Sequence, residues 1–251
     1  MKNNKILEVK NLTKAYHDIK TSILAVSNVS FDVYDKEILA IVGPSGCGKS
    51  TILSILSGIE DKSDGEIKFN KDNIVFSYML QKDCLFPWLN ILDNCLIGLR
   101  ITNNLSKENI NYVKYLLNTY GLKDFMYKYP SSLSGGMKQR VALIRTLAIK
   151  PDILLLDEAL SALDYQSKLY ISDDLYKIIK NEKKTAIMVT HDISEAVSMS
   201  DRVIVLTNRP ARIKNIYEIK LTNKSTPLNN RYCDEFNTYY HAIWRDLDEC
   251  K

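Results

Sequence analysis

Between an apolar pentad, Ile38 to Val42, and a second apolar run, Thr51 to Leu56, the chain reads Gly43-Pro44-Ser45-Gly46-Cys47-Gly48-Lys49-Ser50. A buried strand that passes through a glycine-rich turn straight into a helix is a demanding local arrangement. Glycines at 43, 46 and 48 open backbone conformations closed to other residues, so that successive N–H groups can converge on one anion. Lys49 adds a point charge suited to the outer phosphates of a nucleotide. Ser50 offers a hydroxyl to Mg²⁺, and the helix starting there turns its positive end to the same anion. Pro44, Ser45, Cys47 and Thr51 complete the expected nucleotide-binding stretch. The pattern predicts an α/β fold with phosphate held at the end of a strand.

The remaining chemistry must come from a chain of 251 residues, 45% of them hydrophobic, which is enough to bury an extensive core without staples. The five cysteines, at 47, 84, 95, 233 and 250, are odd in number and lack a Cys-x-x-Cys spacing. That argues against a disulfide framework or a zinc site and fits a reducing compartment. A net charge of +4, spread over mixed Lys, Glu and Asp with no basic tract, argues against nucleic acid as a partner. No apolar run approaches the roughly 18 to 20 residues that span a bilayer, and the N-terminus has no apolar signal core. Any membrane role is expected to run through a partner.

Leu7 to Lys10 and Val29 to Tyr34 alternate apolar and polar residues as half-buried antiparallel strands do, and Gly65 to Phe69 adds a short strand. Further on, Ile110, Val113, Leu117 and Tyr120 recur at helical spacing behind a Ser106 cap, with Gly121 as the stop. Ile153 to Leu156, Thr185 to Val189 and Val203 to Leu206 read as buried strands separated by helical segments, the alternation of a parallel sheet. Near the end, Tyr232, Phe236, Tyr239, Ile243 and Leu247 fall on one helical face beside Trp244, a stripe that suits core packing or a partner groove.

Asp157 and Glu158 follow the strand Ile153 to Leu156, at the end where α/β sheets hold ligands. An Asp-Glu pair alone is an ordinary solvated strand end. Behind a phosphate-binding turn it becomes a metal carboxylate, Asp157, next to a carboxylate that orients or deprotonates water, Glu158.

Leu133-Ser134-Gly135-Gly136-Met137-Lys138-Gln139-Arg140 presents a hydroxyl and bare N–H groups at the start of a helix running through Val141 and Leu147, a second anion site. This stretch resembles the signature of the ATP-binding cassette (ABC) ATPases. The resemblance implies a P-loop NTPase (RecA-like) core with an antiparallel β layer and an inserted α-helical subdomain, all within one ABC ATPase domain, 1–251. Residues 1–85 and 150–220 would form the catalytic core with its β layer, 86–149 the helical subdomain with the signature, and 221–251 a C-terminal helical tail. It also implies that two copies pair head to tail on MgATP, the signature of each closing over the nucleotide of the other.

Other positions match the family one at a time. Tyr16 matches the aromatic that stacks on adenine. Gln81, after the strand-like Ile74 to Met79, matches the glutamine that touches Mg²⁺ and the attacking water, and His191 the histidine that contacts the γ-phosphate. Ser161-Ala162-Leu163-Asp164 matches the loop that crosses the dimer interface. The resemblance thus implies catalytic roles for Glu158, His191, Lys49 and Gln81, and a Mg²⁺ site from Ser50, Gln81 and Asp157. Three positions depart from the family: Ala159 where proline follows the glutamate, Lys138 where arginine is commoner, and Ile144 where alanine is usual. Cys47 is expected to make the loop sensitive to thiol reagents.

Phe86-Pro87-Trp88, with Asn90 and Asp93-Asn94, resembles the importer ATPases of the nitrate, sulfonate and taurine group, as does Asn208-Arg209-Pro210. This implies integral-membrane permease subunits as partners, with Phe86, Trp88 and Leu89 as contacts. It also implies an extracytoplasmic solute-binding protein acting indirectly, and a peripheral position on the cytoplasmic face of the membrane. Exporter, lipid-handling and vitamin-precursor cassettes share the same catalytic residues, and the solute is not encoded here. A GTPase would need Asn-Lys-x-Asp, which Asn70-Lys71-Asp72-Asn73 misses. Soluble cassettes of translation or repair carry a second cassette or a long coiled coil.

Overall fold

The structure is a computed structural model that describes residues 4–17, 21–161 and 164–249. Two sheets share a chain of strongly alternating burial. In β3 (Ile38–Val42) every residue is buried, with Leu39 and Ile41 on one face and Ile38, Ala40 and Val42 on the other. The same split recurs in β6 (Ile153–Asp157), β7 (Thr185–Thr190) and β8 (Arg202–Leu206), as the period of two requires when a sheet is covered on both sides. These strands and β5 (Phe76–Met79) lie parallel in the order β5-β6-β7-β3-β8. A sixth strand, β9 (Ile213–Glu218), adds antiparallel to β8 at the edge; the parallel sheet read from the sequence did not include it.

One face packs against α1 (Lys49–Leu56) and a three-stranded antiparallel sheet of β1 (Lys5–His17), β2 (Ser22–Tyr34) and β4 (Asp64–Phe69), ordered β2-β1-β4. Both long strands run well past the alternating stretches that announced them, and the register shifts between Val9 and Ala15 explain why simple alternation fails there. Strand β5 likewise begins at Phe76, not Ile74.

The other face carries the helices α2 (Ile91–Ile101), α3 (Lys107–Thr119), α4 (Gly135–Leu147), α5 (Tyr165–Asn181) and α6 (Ile193–Met199). Ser106 caps α3 by accepting the Asn109 N–H, and Gly121 turns the chain away at φ +75. Ile144 is fully buried on α4, so the larger residue at that position is absorbed by the core. After a one-turn helix α7 (Pro227–Asn230), α8 (Asp234–Asp248) lies on α6 and β8. Phe236 and Ile243 are its buried residues, with Tyr239, Tyr240 and Leu247 packed around them. Tyr232 departs from the expected stripe: it precedes the helix and is exposed, and Trp244 is half exposed. Among the described residues no helix is long and apolar enough to cross a membrane.

Parallel pairing brings the C-terminal ends of β5, β6, β7, β3 and β8 to one edge, so Gln81, Asp157-Glu158, His191, the Gly43 loop and Arg209 all follow strands that end there. Ligands in open α/β sheets sit at this edge.

Candidate functional site

The loop after β3 encloses an open cleft of about 370 Å³, lined by Ser45, Gly46, Gly48, Lys49, Ser50, Thr51, Gln81, Asp157, Glu158 and Arg209. Gly48 closes the loop at φ +126, where a Cβ would stand 3.0 Å from the Ala25 carbonyl, so both conformation and space require glycine. Lys49 is 6% exposed, and its ammonium donates to the Gly43 and Pro44 carbonyls at 2.9 Å each. The cation is thus parked on the loop that surrounds the anion position. Cys47 corrects an expectation: its side chain is buried between the two sheets with Sγ against Gly43, and burial pushes the thiol up from its ordinary value. A neutral, enclosed thiol is a poor target for modification.

The two carboxylates diverge. Glu158 occupies the left-handed region at φ +46, which turns the chain sharply after Asp157. Asp157 faces α1: Oδ1 accepts the Ser50 hydroxyl at 2.9 Å, and Oδ2 accepts the Tyr78 hydroxyl at 2.8 Å. Glu158 faces the other way. Its Oε2 accepts the Gln81 amide at 3.3 Å, and its Oε1 lies 3.3 Å from His191 Nδ1. Gln81 also donates to Ser161 Oγ at 3.1 Å, and Ser161 donates to the Glu158 carbonyl at 2.8 Å. Ala159 is buried at 5% exposure just behind this turn.

His191 follows β7 and is exposed, while its neighbours are tied down. Asp192 accepts the Ser194 and Glu195 N–H groups as the cap of α6, and Thr190 donates to the buried Glu195 carboxylate at 2.8 Å. Lys168 of α5 bridges Asp192 at 2.8 Å and Glu195 at 3.3 Å. Asp164 caps α5 by accepting the Ser167 N–H, so the structure gives it a local role. Ala162 and Leu163 of the same loop lie outside the described residues.

Tyr16, on β1, is 39% exposed and reaches over the first turn of α1. Its hydroxyl donates to Glu60 at 2.5 Å and lies 3.4 Å from Thr51 Oγ1, with Lys14 Nζ 4.9 Å from the ring centre. Ser134, Gly135 and Gly136 form the start of α4, where Ser134 accepts the Met137 N–H; they do not line the cleft. Phe86, Trp88 and Leu89 sit on the loop before α2. The fully buried Asn94 organises that loop, accepting the Phe86 N–H and donating to the Phe86, Leu89 and Asn90 carbonyls. Trp88 is 70% exposed against Phe86, whereas Phe86 and Leu89 are partly buried, so only Trp88 of the three is freely exposed.

Tyr78, Lys168 and Arg209 belong to this constellation, yet the sequence did not single them out for it. Their partners are 79, 24 and 163 residues away along the chain. Arg209 did stand in a quoted tripeptide, but nothing in its spacing placed it in the cleft.

A phosphate loop, an Asp-Glu pair, a glutamine and a histidine gathered at one sheet edge define a P-loop ATPase. The chain belongs to the ABC transporter family, whose profile matches residues 26–161, and it is an ATP-hydrolysing enzyme of that family. It is 42% identical over 248 residues to the ABC transporter ATP-binding protein YtlC of Bacillus subtilis (strain 168), covering 96% of this chain and 95% of that one. The nitrate import ATP-binding protein NrtD of Synechocystis is 35% identical over 90% of this chain and 87% of its own length. The taurine import ATP-binding protein TauB of Jannaschia is 37% identical over 84% and 80%. Among solved structures, a dimeric ATP-binding cassette in a post-hydrolysis state with ADP and Pi superposes with a TM-score of 0.72 at 30% identity, over 86% of this chain and 99% of that one. The α/β P-loop NTPase fold expected from the sequence therefore holds.

Proposed function

We propose that this chain is the ATP-hydrolysing subunit of an ABC importer for a small anionic or organic solute of the nitrate, sulfonate or taurine type. The observation that carries the ATP-hydrolysing part of the reading is that Gln81 and Glu158 line the cleft formed by the phosphate loop, with His191 Nδ1 3.3 Å from Glu158. Two copies bind ATP and close head to tail, each Ser134 completing the other's site; that Ser134 stands apart from the cleft of its own chain supports this. Closure is passed through Trp88 and its neighbours to a permease subunit in the membrane, and a solute-binding protein acts from the far side. The chain itself sits peripherally on the cytoplasmic face. The names of NrtD and TauB support the importer class.

Within each site Lys49 leaves the loop carbonyls for the γ-phosphate, Tyr16 stacks on the adenine and His191 contacts the γ-phosphate. Glu158 accepts a proton from the attacking water that Gln81 helps to orient. Hard oxygen donors suit Mg²⁺, and Ser50 Oγ and Asp157 Oδ1, 2.9 Å apart with Gln81 in the same cleft, fit that ion. Bound there, Mg²⁺ neutralises charge on the phosphate oxygens.

The test is reconstitution with permease subunits and solute-binding proteins of the nitrate, sulfonate and taurine classes. ATP hydrolysis should rise when the binding protein carries its solute, and solute should accumulate inside vesicles that hold the cassette and ATP in their lumen and the binding protein outside. Export of the solute, or hydrolysis indifferent to every binding protein, would overturn the importer reading.

A further inference from the structure

The turn from β8 to β9 crosses beneath the phosphate loop and carries an arginine into the cleft. Arg209 donates from both Nε and Nη2 to one acceptor, the Gly46 carbonyl, at 3.2 and 2.8 Å. Gly46 stands at φ +71, in the left-handed region. The turn is itself rigid. Thr207 and Arg212 close it with a backbone hydrogen bond at 2.9 Å, and Ala211 exchanges two more, both at 2.9 Å, with Ala25 and Ser27 of β2. Arg209 is therefore mounted on a platform fixed to both sheets.

An anion-binding loop must turn its N–H groups inwards and its carbonyls outwards, because an inward carbonyl repels phosphate. A charged, forked donor on the Gly46 carbonyl favours that orientation before any nucleotide arrives. We propose that Arg209 is a positioning residue of the phosphate loop, holding it in its anion-binding shape by clasping Gly46. The inference rests on the reading of the cleft as the ATP site. Since Arg209 is set against the loop and not against the water-handling pair of Glu158 and His191, its contribution belongs to nucleotide affinity.

The test compares the full chain with Arg209→Gln and Arg209→Lys, titrating a fluorescent MgADP analogue and measuring hydrolysis at saturating ATP. Both variants should bind about tenfold more weakly, the scale of a lost charge-assisted hydrogen bond. kcat should stay within about twofold, because uniform binding is what is removed. Lysine should not rescue, since a single ammonium cannot fork. Amide exchange across residues 43–50 of the nucleotide-free Arg209→Lys protein should be several-fold faster, while exchange in β3 stays slow. Unchanged affinity or unchanged exchange in the loop would overturn the proposal. So would full rescue by lysine, which would make the effect one of charge alone, or a loss confined to kcat. If the unaltered chain failed to bind MgADP, the ATP-site reading itself would fall.

Discussion

Replacing Lys168 by methionine would cut the bridge that ties the start of α5 to the segment beside His191. The lysine side chain is 12% exposed and pairs with Asp192 and Glu195, and Glu195 is itself only 4% exposed. Methionine keeps most of the stem volume and removes the charge, leaving the buried carboxylate with the Thr190 hydroxyl as its remaining hydrogen-bond donor. Stranding a buried partner in this way costs about 3 kcal/mol, which for a chain of this size is roughly 6 to 12 °C in Tm. Burial already raises the Glu195 carboxyl above its ordinary value, against the pull of Lys168, so the variant raises it further. A group whose folded pKa exceeds its unfolded one contributes stability that is fully present below the unfolded value and is lost as pH rises through the folded one. The deficit should therefore be smaller at about pH 4.5, where loss of the Asp192 pair still counts, than at about pH 8, where Glu195 adds to it. Urea unfolding at both pH values measures it, and adding Glu195→Gln to the variant should restore most of the loss. An equal deficit at both pH values, a deficit below about 0.5 kcal/mol, or no relief from the second change would refute this account of the bridge.

Tyr78→Phe removes one hydroxyl from Asp157 and should raise the Mg²⁺ concentration for half-maximal hydrolysis about tenfold, the usual scale for a group that orients a metal ligand. A Mg²⁺ titration with unchanged midpoint would show that Ser50 alone orients the carboxylate. Thiol labelling of the native protein at mildly alkaline pH should reach the exposed Cys84 quickly and spare Cys47 and Cys95, both fully buried, the latter with its thiol pushed up to about 12 by burial. Mass spectrometry of labelled peptides checks this, and early modification of Cys47 would show that the phosphate loop opens in solution.

Local signals carried most of the fold. The strand, loop and helix around Gly43, the Ser106 cap and the four buried apolar runs each announce themselves within a few residues, because period and capping are local physics. The antiparallel layer was visible only in part, since register shifts in β1 break the alternation, and β9 was missed because its exposed edge lacks an apolar run. Candidate-site residues carried by motifs were legible for the same reason, and the fold brings Lys49, Ser50, Gln81, Asp157 and Glu158 to one cleft. Tyr78, Lys168 and Arg209 were not, because hydroxyl, ammonium and guanidinium groups become part of a site only when the sheet brings distant partners within about 3 Å. Cys47 shows the converse: its place in the loop was clear, but the direction of its side chain depends on packing between two sheets. Tyr232 had the right spacing for the last helix, yet the helix starts two residues later, at Asp234.

On the proposed function, the cleft of one chain is half of an ATP site, with Glu158 as its base. Glu158→Gln keeps the shape of the side chain and removes its capacity to accept a proton. Light scattering of this variant with and without MgATP measures whether two chains close on the nucleotide. The expected result is a change from 28.8 kDa to twice that mass on adding MgATP, with two nucleotides trapped per dimer and hydrolysis reduced by roughly 10² or more. A variant that stays monomeric with ATP bound, or that hydrolyses ATP at the unaltered rate, would contradict it.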